Sequence, residues 1–529
     1  MSFGNSEART ADLAAVGLPT ALAAVLCLVQ IAGRSIGFDE AATVTIAAQH
    51  GSALGSAIAH DGGNMSGYYL LLHVLMAAFG NGELLIRLPS ALASIATVAL
   101  IGTIGLRLFG RRAAFAAGLL TAVSLPLVFW AQNARGYALM VAFTSGAFLV
   151  LIPLARPGGE RYRDAKRQRS RWVAYVVLMT LGIYSSFVAV LVLPAQLLAV
   201  LAGRQATRLR QFAGALAGIA LLCVPLLVLA VRRGAGQLFW VPRPTRKLEV
   251  QVLQSLTSAG QEPSFHPTST TTALMVLTGA VLLAMAIAIV RARPARDSAW
   301  GWAMAGAWLV VPVAIALVYS LVSQPIFLPR NLLMSVPAMS LLLGAGIGDV
   351  RLTRRAAPAA LALLVVLVAL RALQLAPSYG VSPEPWQRAT GYVLARARSG
   401  DCIAFYPLDA RMAFQYYVGT GTAADRRAPR SILPIVRWGV VRPYVEDYST
   451  LSPAQIAGRR AGCARLWFIS SHEGQPDGPA QSRANRARFL KLRVKFEHAF
   501  GGGRVRQFGY ASTVHVQLLV RGAGSSRRR

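Results

Sequence analysis

Asp39 and Glu40 stand side by side in the stretch SIGFDEAAT, directly after an apolar run, in a chain with 21 acidic residues against 54 basic ones. A carboxylate at the edge of a membrane, partly stripped of water, has its pKa raised toward the range where it can take a proton from a hydroxyl. The pair therefore suits a general base. It suits a plainer role equally well, with Asp39 as the N-cap of a helix from Glu40 to Ala48 and Glu40 in its first turn.

Cations of suitable reach lie in other loops. Arg87, Arg135 and Arg330 sit at the ends of apolar runs, where a guanidinium can clamp a phosphate or diphosphate bidentately or snorkel to lipid headgroups. Arg135 belongs to the polar stretch QNARGY. Arg330 follows two prolines in QPIFLPRN that break the backbone at membrane depth, where peptide groups are costly unless they line a cavity. That company favours a phosphate site. Gln132 and Tyr137, the polar loop residues His60 and Asp61, the pair Tyr68 and Tyr69, and His73 within YYLLLHVLMAAF complete a candidate substrate pocket. The tyrosines read equally as interfacial anchors, and His73 as a hydrogen-bonded packing residue. No HxxxH or carboxylate triad marks a metal site, so no metal ligand is assigned; a divalent cation is allowed as cofactor, but nothing specifies one.

The elements that must hold these residues are membrane helices. The chain is 55% hydrophobic and 14% charged, against about a quarter charged in soluble proteins. Apolar runs of spanning length fall near 14–33, 88–109, 113–131, 137–155, 172–185, 187–203, 211–231, 272–291, 299–321, 331–348 and 356–374, about eleven in all. The first is expected as a retained helix, not a cleaved signal. The run from Tyr68 to Phe79 is too short to span and is expected to be interfacial or re-entrant. Basic clusters at Arg111 and Arg112, from Arg156 to Arg171, from Arg204 to Arg210, from Arg291 to Arg296 and from Arg351 to Arg355 occupy every second connection, which marks those connections as cytoplasmic. The formal charge of +33 then needs no nucleic-acid partner. Every polar cluster named above falls on the opposite, outer side, where the carboxylates before residue 375 are Asp39, Glu40, Asp61, Glu83, Glu249 and Glu262.

After Leu375 hydropathy falls and an α/β pattern begins. Helices are expected at 386–398, 411–417, 453–460 and 480–492, and strands at 402–406, 466–470, 494–500 and 512–520. The expected organisation is a transmembrane domain over 1–375 with its first outer loop, 34–87, catalytic. An extracytoplasmic α/β domain follows over 376–520, then a disordered basic tail, 521–529. The chain has four cysteines, none in a CxxC pair; Cys402 and Cys463 begin predicted strands in an oxidising compartment, where they either form a disulfide or stay as buried thiols.

The combination of FDEA after the first span, YYLLLHVLMAAFGNGELLIRLPSALASIATVALI, QNARGYAL after the third and PIFLPRNLLMSVPAMSLLLGAGI late in the chain resembles the GT-C class of membrane glycosyltransferases. The nearest branch is the bacterial relatives of the protein O-mannosyltransferases and of the lipid A aminoarabinose transferase. The likeness covers about residues 10 to 350. It implies a polytopic α-helical GT-C fold and an enzyme that moves a hexosyl or pentosyl group from a polyprenyl-phosphate-linked donor. The acceptor would be a lipid, a cell-envelope glycan or a protein, and the site would lie on the extracytoplasmic face of the plasma (inner) membrane. It further implies Asp39 as base or acceptor-orienting group, Glu40 as its acidic neighbour, and Arg135 and Arg330 near the donor phosphate. Many relatives carry a Pro-Pro-Leu-Tyr-Tyr turn where this chain reads Asn64-Met65-Ser66-Gly67-Tyr68-Tyr69, a departure that bears on acceptor choice. The chemistry agrees: displacing a lipid phosphate from an anomeric carbon needs one carboxylate opposite a cationic phosphate site, which suffices for inversion. A transporter or flippase would instead show intramembrane ionisable residues and matched broken helices in two halves. A non-catalytic envelope-assembly protein would tolerate loss of Asp39.

Overall fold

The computed structural model describes residues 3–157, 165–260, 268–292, 296–348, 357–419, 427–509 and 513–520. Glu262, the basic run 351–355 and the tail 521–529 lie outside them. The chain is a multi-pass membrane protein: among the described residues, seven helices are long and apolar enough to cross a membrane, or nine if two bent pairs each count as one span.

The helices that build the site come first in the chain: α1 (Phe3–Leu28), α2 (Phe38–Ala47), α3 (Gly51–His60), α4 (Ser66–Phe79), α5 (Glu83–Phe109), α6 (Arg111–Ala122), α7 (Leu125–Ala131) and α8 (Tyr137–Ala155). As expected, α4 is too short to span. Helices α6 and α7 bend by 59° at Ser124–Leu125–Pro126, because proline lacks the N–H that would continue the ladder and starts a new helix well. Buried Arg371 donates to the Leu120 carbonyl near that break. Small residues let helix Val336–Gly348 approach α6 closely: a Cβ on Gly344 would lie 2.4 Å from the Ala117 nitrogen.

The count differs from the eleven spans expected from hydropathy. The two extra runs, 172–185 and 187–203, are helical but fall short of spans. Helix Ala165–Ser185 carries Lys166, Arg167, Arg169 and Arg171 in its first half, which leaves too short an apolar remainder. The second is a 3-10 turn, Phe187–Val192, leading into the ten-residue helix Leu193–Ala202.

The C-terminal part folds on a five-stranded sheet of β1 (Asp401–Tyr406), β2 (Arg430–Leu433), β3 (Arg465–Ser470), β4 (Val505–Phe508) and β5 (Val514–Leu519), ordered β2-β1-β3-β5-β4. Strands β2, β1 and β3 run parallel; β5 is antiparallel to β3 and to β4. The strand expected over 494–500 is instead the end of helix Ala480–Phe500. Phe489, Leu492, Phe496 and Phe500 recur at helical spacing and are buried, while Val494, the β-branched residue of that segment, is exposed. Two edge strands, β2 and β4, escaped notice because four residues each are too few to show alternation. Cys402 and Cys463 form a disulfide, and Cys27 and Cys223 are free thiols. Alkylation of the denatured protein should therefore tag Cys27 and Cys223 before reduction and all four cysteines after it, read by mass spectrometry; four tagged thiols without reductant would contradict the bridge.

Candidate active site

The site forms where the first turn of α2 meets the loop between α7 and α8 and the C-terminal sheet. Helix α2 starts two residues earlier than expected, with Gly37 at the N-cap, and Glu40 Oε2 accepts the Gly37 N–H at 3.2 Å. Asp39 therefore does not cap α2. Capping falls to Glu40 at the third helical position, and the Asp39 side chain takes no part in it.

Glu40 has a second and larger task. Arg87, 1% exposed, grips it with two parallel bonds of 2.8 Å from Nε and Nη2. The other guanidinium donors go to the carbonyls of Ile31, Arg34 and Ser35. With every donor engaged, Arg87 has none left for a donor phosphate, and that expectation is corrected: it is the buried counter-ion of Glu40. Glu40 Oε1 also accepts the Ala134 N–H at 2.8 Å, so the ion pair ties α2 to the QNARGY loop. Burial raises the Glu40 pKa, but Arg87 and the backbone N–H groups outweigh it and hold the carboxylate below its ordinary range.

Asp39 is flanked by the two remaining arginines. Arg330 Nη1 lies 3.3 Å from Asp39 Oδ2, and its guanidinium stacks over Trp240 at 4.6 Å. Arg135 Nη1 reaches Thr43 Oγ1 at 3.3 Å and the Asp39 carbonyl at 3.5 Å, while its Nε is buried with no hydrogen-bond partner. Ser90 Oγ holds the Arg135 carbonyl at 3.1 Å. Gly136 is required here, since a Cβ would lie 2.2 Å from the Ser185 carbonyl oxygen. Asp39 is partly buried at the start of α2, and its side chain keeps 47% of its surface accessible. Burial would raise its pKa; Arg135, Arg330 and His472 overcome that and leave it below the usual carboxylate range.

The other expected pocket residues divide. Asp61 accepts the Tyr69 hydroxyl at 2.8 Å, and burial pushes its pKa up to about 7, with Arg135 pulling the other way and Glu446 and Asp39 adding to the rise. His60 lies by Arg233 and Glu446, themselves paired at 2.6 Å. Tyr137 packs edge-on against Trp130 beside Arg135. Three residues are engaged elsewhere. Gln132 donates to the Leu26, Cys27 and Val29 carbonyls at the end of α1; Tyr68 is buried with its hydroxyl on the Ile86 carbonyl and Ser90. His73 Nδ1 is 2.8 Å from the Ala47 carbonyl, at the far end of α2 from Asp39. These three are framework and not pocket wall. Among the described residues, no group of three His, Cys, Asp or Glu is arranged to hold a metal ion.

Sequence reasoning missed the contribution of the C-terminal part. Glu384 and His472 reach the start of α2, and an irregular strap, residues 441–451, lays Tyr444 against Phe38 at 6.1 Å. Asp409 pins the strap by accepting the Asp447 and Val445 N–H groups. Asp409 follows β1 and His472 follows β3, at the carboxyl ends of the parallel strands, where α/β sheets commonly place their sites; that is the signal that could have found them.

The Asp61 shift makes a testable stability claim. A carboxyl whose folded-state pKa is raised stabilises the fold most fully below its unfolded value of about 4 and loses that contribution as pH rises to about 7. Asp61→Asn should flatten the fall in melting temperature over that window, and an unchanged pH profile would show that Asp61 titrates normally.

Residues 66–229 match the family model of dolichyl-phosphate-mannose-protein mannosyltransferases. The whole chain is similar in structure to ArnT from Cupriavidus metallidurans. Its apo form matches with a TM-score of 0.57 and 16% identity over 95% of this chain and 97% of that one. Its complex with undecaprenyl phosphate matches at 0.54 and 14%, over 97% and 99%. The oligosaccharyltransferase AglB from Archaeoglobus fulgidus, in complex with an inhibitory peptide and a dolichol-phosphate, gives 0.54 and 12% over 96% of this chain and 74% of that one. No curated protein sequence matches. The architecture is that of the GT-C membrane glycosyltransferases.

Proposed function

We propose that the protein is an integral membrane glycosyltransferase. It moves a sugar, with inversion, from a polyprenyl-phosphate-linked donor to a lipid, glycan or protein acceptor on the extracytoplasmic face of the inner membrane. The observation that carries this reading is Asp39, ionised, partly accessible and flanked by two arginines. In that arrangement the acceptor hydroxyl attacks the anomeric carbon as the bond from that carbon to the phosphate oxygen breaks. The hydroxyl proton passes to Asp39, and the polyprenyl phosphate departs against Arg330 and Arg135.

The neighbours support this class of donor: ArnT has been seen with undecaprenyl phosphate and AglB with a dolichol-phosphate. Arg330 is the arginine whose guanidinium meets the Asp39 carboxylate itself, at 3.3 Å, and it is therefore the one a donor phosphate would compete for. A donor phosphate draws Arg330 away, and Asp39, relieved of one positive neighbour, becomes a stronger base when the substrate is in place. Asp61, protonated below about pH 7, can donate a hydrogen bond to a sugar hydroxyl.

Membranes containing the protein, supplied with undecaprenyl-phosphate-linked tritiated sugars, should release labelled product. Arg330→Ala should raise the donor KM about 10- to 100-fold, the worth of one charged hydrogen bond. An unchanged donor KM would remove Arg330 from the phosphate site, and failure of every donor tried with the wild type would count against the reading itself.

A further inference from the structure

Three of the N–H groups that lead into Asp39 are held by the C-terminal part of the chain. The Ser35 N–H donates to Ser382 Oγ at 2.9 Å, the Ile36 N–H to the Tyr417 hydroxyl at 2.7 Å and the Phe38 N–H to Glu384 Oε2 at 2.7 Å. Glu384 is itself fixed by Trp386 Nε1 at 3.1 Å, and its other oxygen lies 3.4 Å from His472 Nε2. The His472 ring packs on Phe38 with centroids 4.6 Å apart, and Ser471 Oγ holds its Nδ1 at 2.9 Å. His472 sits at φ +52°, a left-handed conformation that a non-glycine residue adopts at a cost and that the surrounding contacts must maintain.

We infer that Glu384 and His472 are positioning residues for Asp39, a clamp from the C-terminal domain that sets where the carboxylate stands between Arg135 and Arg330. This rests on the glycosyltransferase reading above. Glu384 grips the peptide N–H one residue before Asp39, and His472 presses on the side chain of that same residue. A shift of an ångström in the first turn of α2 would carry Asp39 out of line with an acceptor hydroxyl, and such misplacement lowers rate far more than affinity. The clamp also explains why a histidine occupies a position whose backbone suits glycine: the ring is worth the strain.

The strained backbone supplies a variant that keeps the fold. His472→Gly relieves φ +52° and should melt no lower than wild type, yet lower kcat for transfer from an undecaprenyl-phosphate sugar at least 10-fold with the donor KM within twofold. Glu384→Ala should do the same, and Glu384→Gln, which keeps an oxygen for the Phe38 N–H, should lose less. Wild-type kcat in both His472→Gly and Glu384→Ala, or a loss confined to donor KM, would overturn the inference. Hydrogen exchange on the full-length protein tests it without substrate: Glu384→Ala should speed exchange over 35–47 while leaving 137–155 as it was. Unchanged exchange over 35–47 rejects the clamp even if no donor is accepted, and faster exchange supports it even if the activity assigned above proves wrong.

Discussion

Replacing Asp39 with asparagine is expected to lower glycosyl transfer about 100- to 10,000-fold, the usual worth of a positioned base, while the protein still inserts in the membrane and melts near the wild-type temperature. The second half follows from its setting. Asp39 does not cap α2, keeps nearly half of its side-chain surface accessible and makes one long contact to Arg330, so little of the fold depends on it. Asparagine keeps the shape and loses the proton affinity. Asp39→Ala should be as inactive, and transfer at wild-type rates in both variants would end the assignment of Asp39 as base. The depressed pKa adds a pH expectation: Asp39 stays ionised down to pH values below the ordinary carboxylate range, so activity should not fall on its account between pH 7 and about 5.

The largest loss of stability is expected from Glu40→Ala or Arg87→Ala. Their side chains are 3% and 1% exposed and joined by two bonds of 2.8 Å. Removing one partner leaves the other as a buried uncompensated charge, a cost of about 3–5 kcal/mol. Glu40→Ala also strips the Ala134 and Gly37 N–H groups of their acceptor, so transfer should fall along with stability as Arg135 loses its mooring. The double variant Glu40→Leu with Arg87→Met, which leaves no charge behind, should be less destabilised than either alanine variant. Thermal melting in detergent decides it: a Glu40→Ala protein with wild-type stability would mean that the pair contributes nothing. This answers why two scarce carboxylates are adjacent. One holds the frame and the other stands partly accessible beside Arg330.

How far the site could be read from sequence varied with the residue. Asp39, Arg135 and Arg330 were selected by type and loop placement, and they stand together. Arg87 was selected by the same criteria and stands behind the site, because one helix later in sequence says nothing about which way a guanidinium turns. Gln132 and Tyr68 looked like pocket residues through their polar company; the open carbonyls at the end of α1 and the Ile86 carbonyl claim them instead. The strand expected over 494–500 failed because Val494 and the phenylalanines suit strands by type, while the spacing of Phe489, Leu492, Phe496 and Phe500 is helical.

By itself the sequence determined the membrane character, the placement of the apolar helices, the α/β nature of the C-terminal part and the loops where polar chemistry gathers. Hydropathy, proline breaks and basic clusters act locally, so their effects can be read one segment at a time. Only the tertiary structure decided which arginines meet Asp39, what Glu40 does and that Glu384 and His472 reach α2. Those contacts join residues 291 and 346 positions apart, Arg330 with Asp39 and Glu384 with Phe38. Each exists because the whole membrane bundle and the sheet have packed, and the energy of that packing is distributed over the chain and written in no single stretch of it.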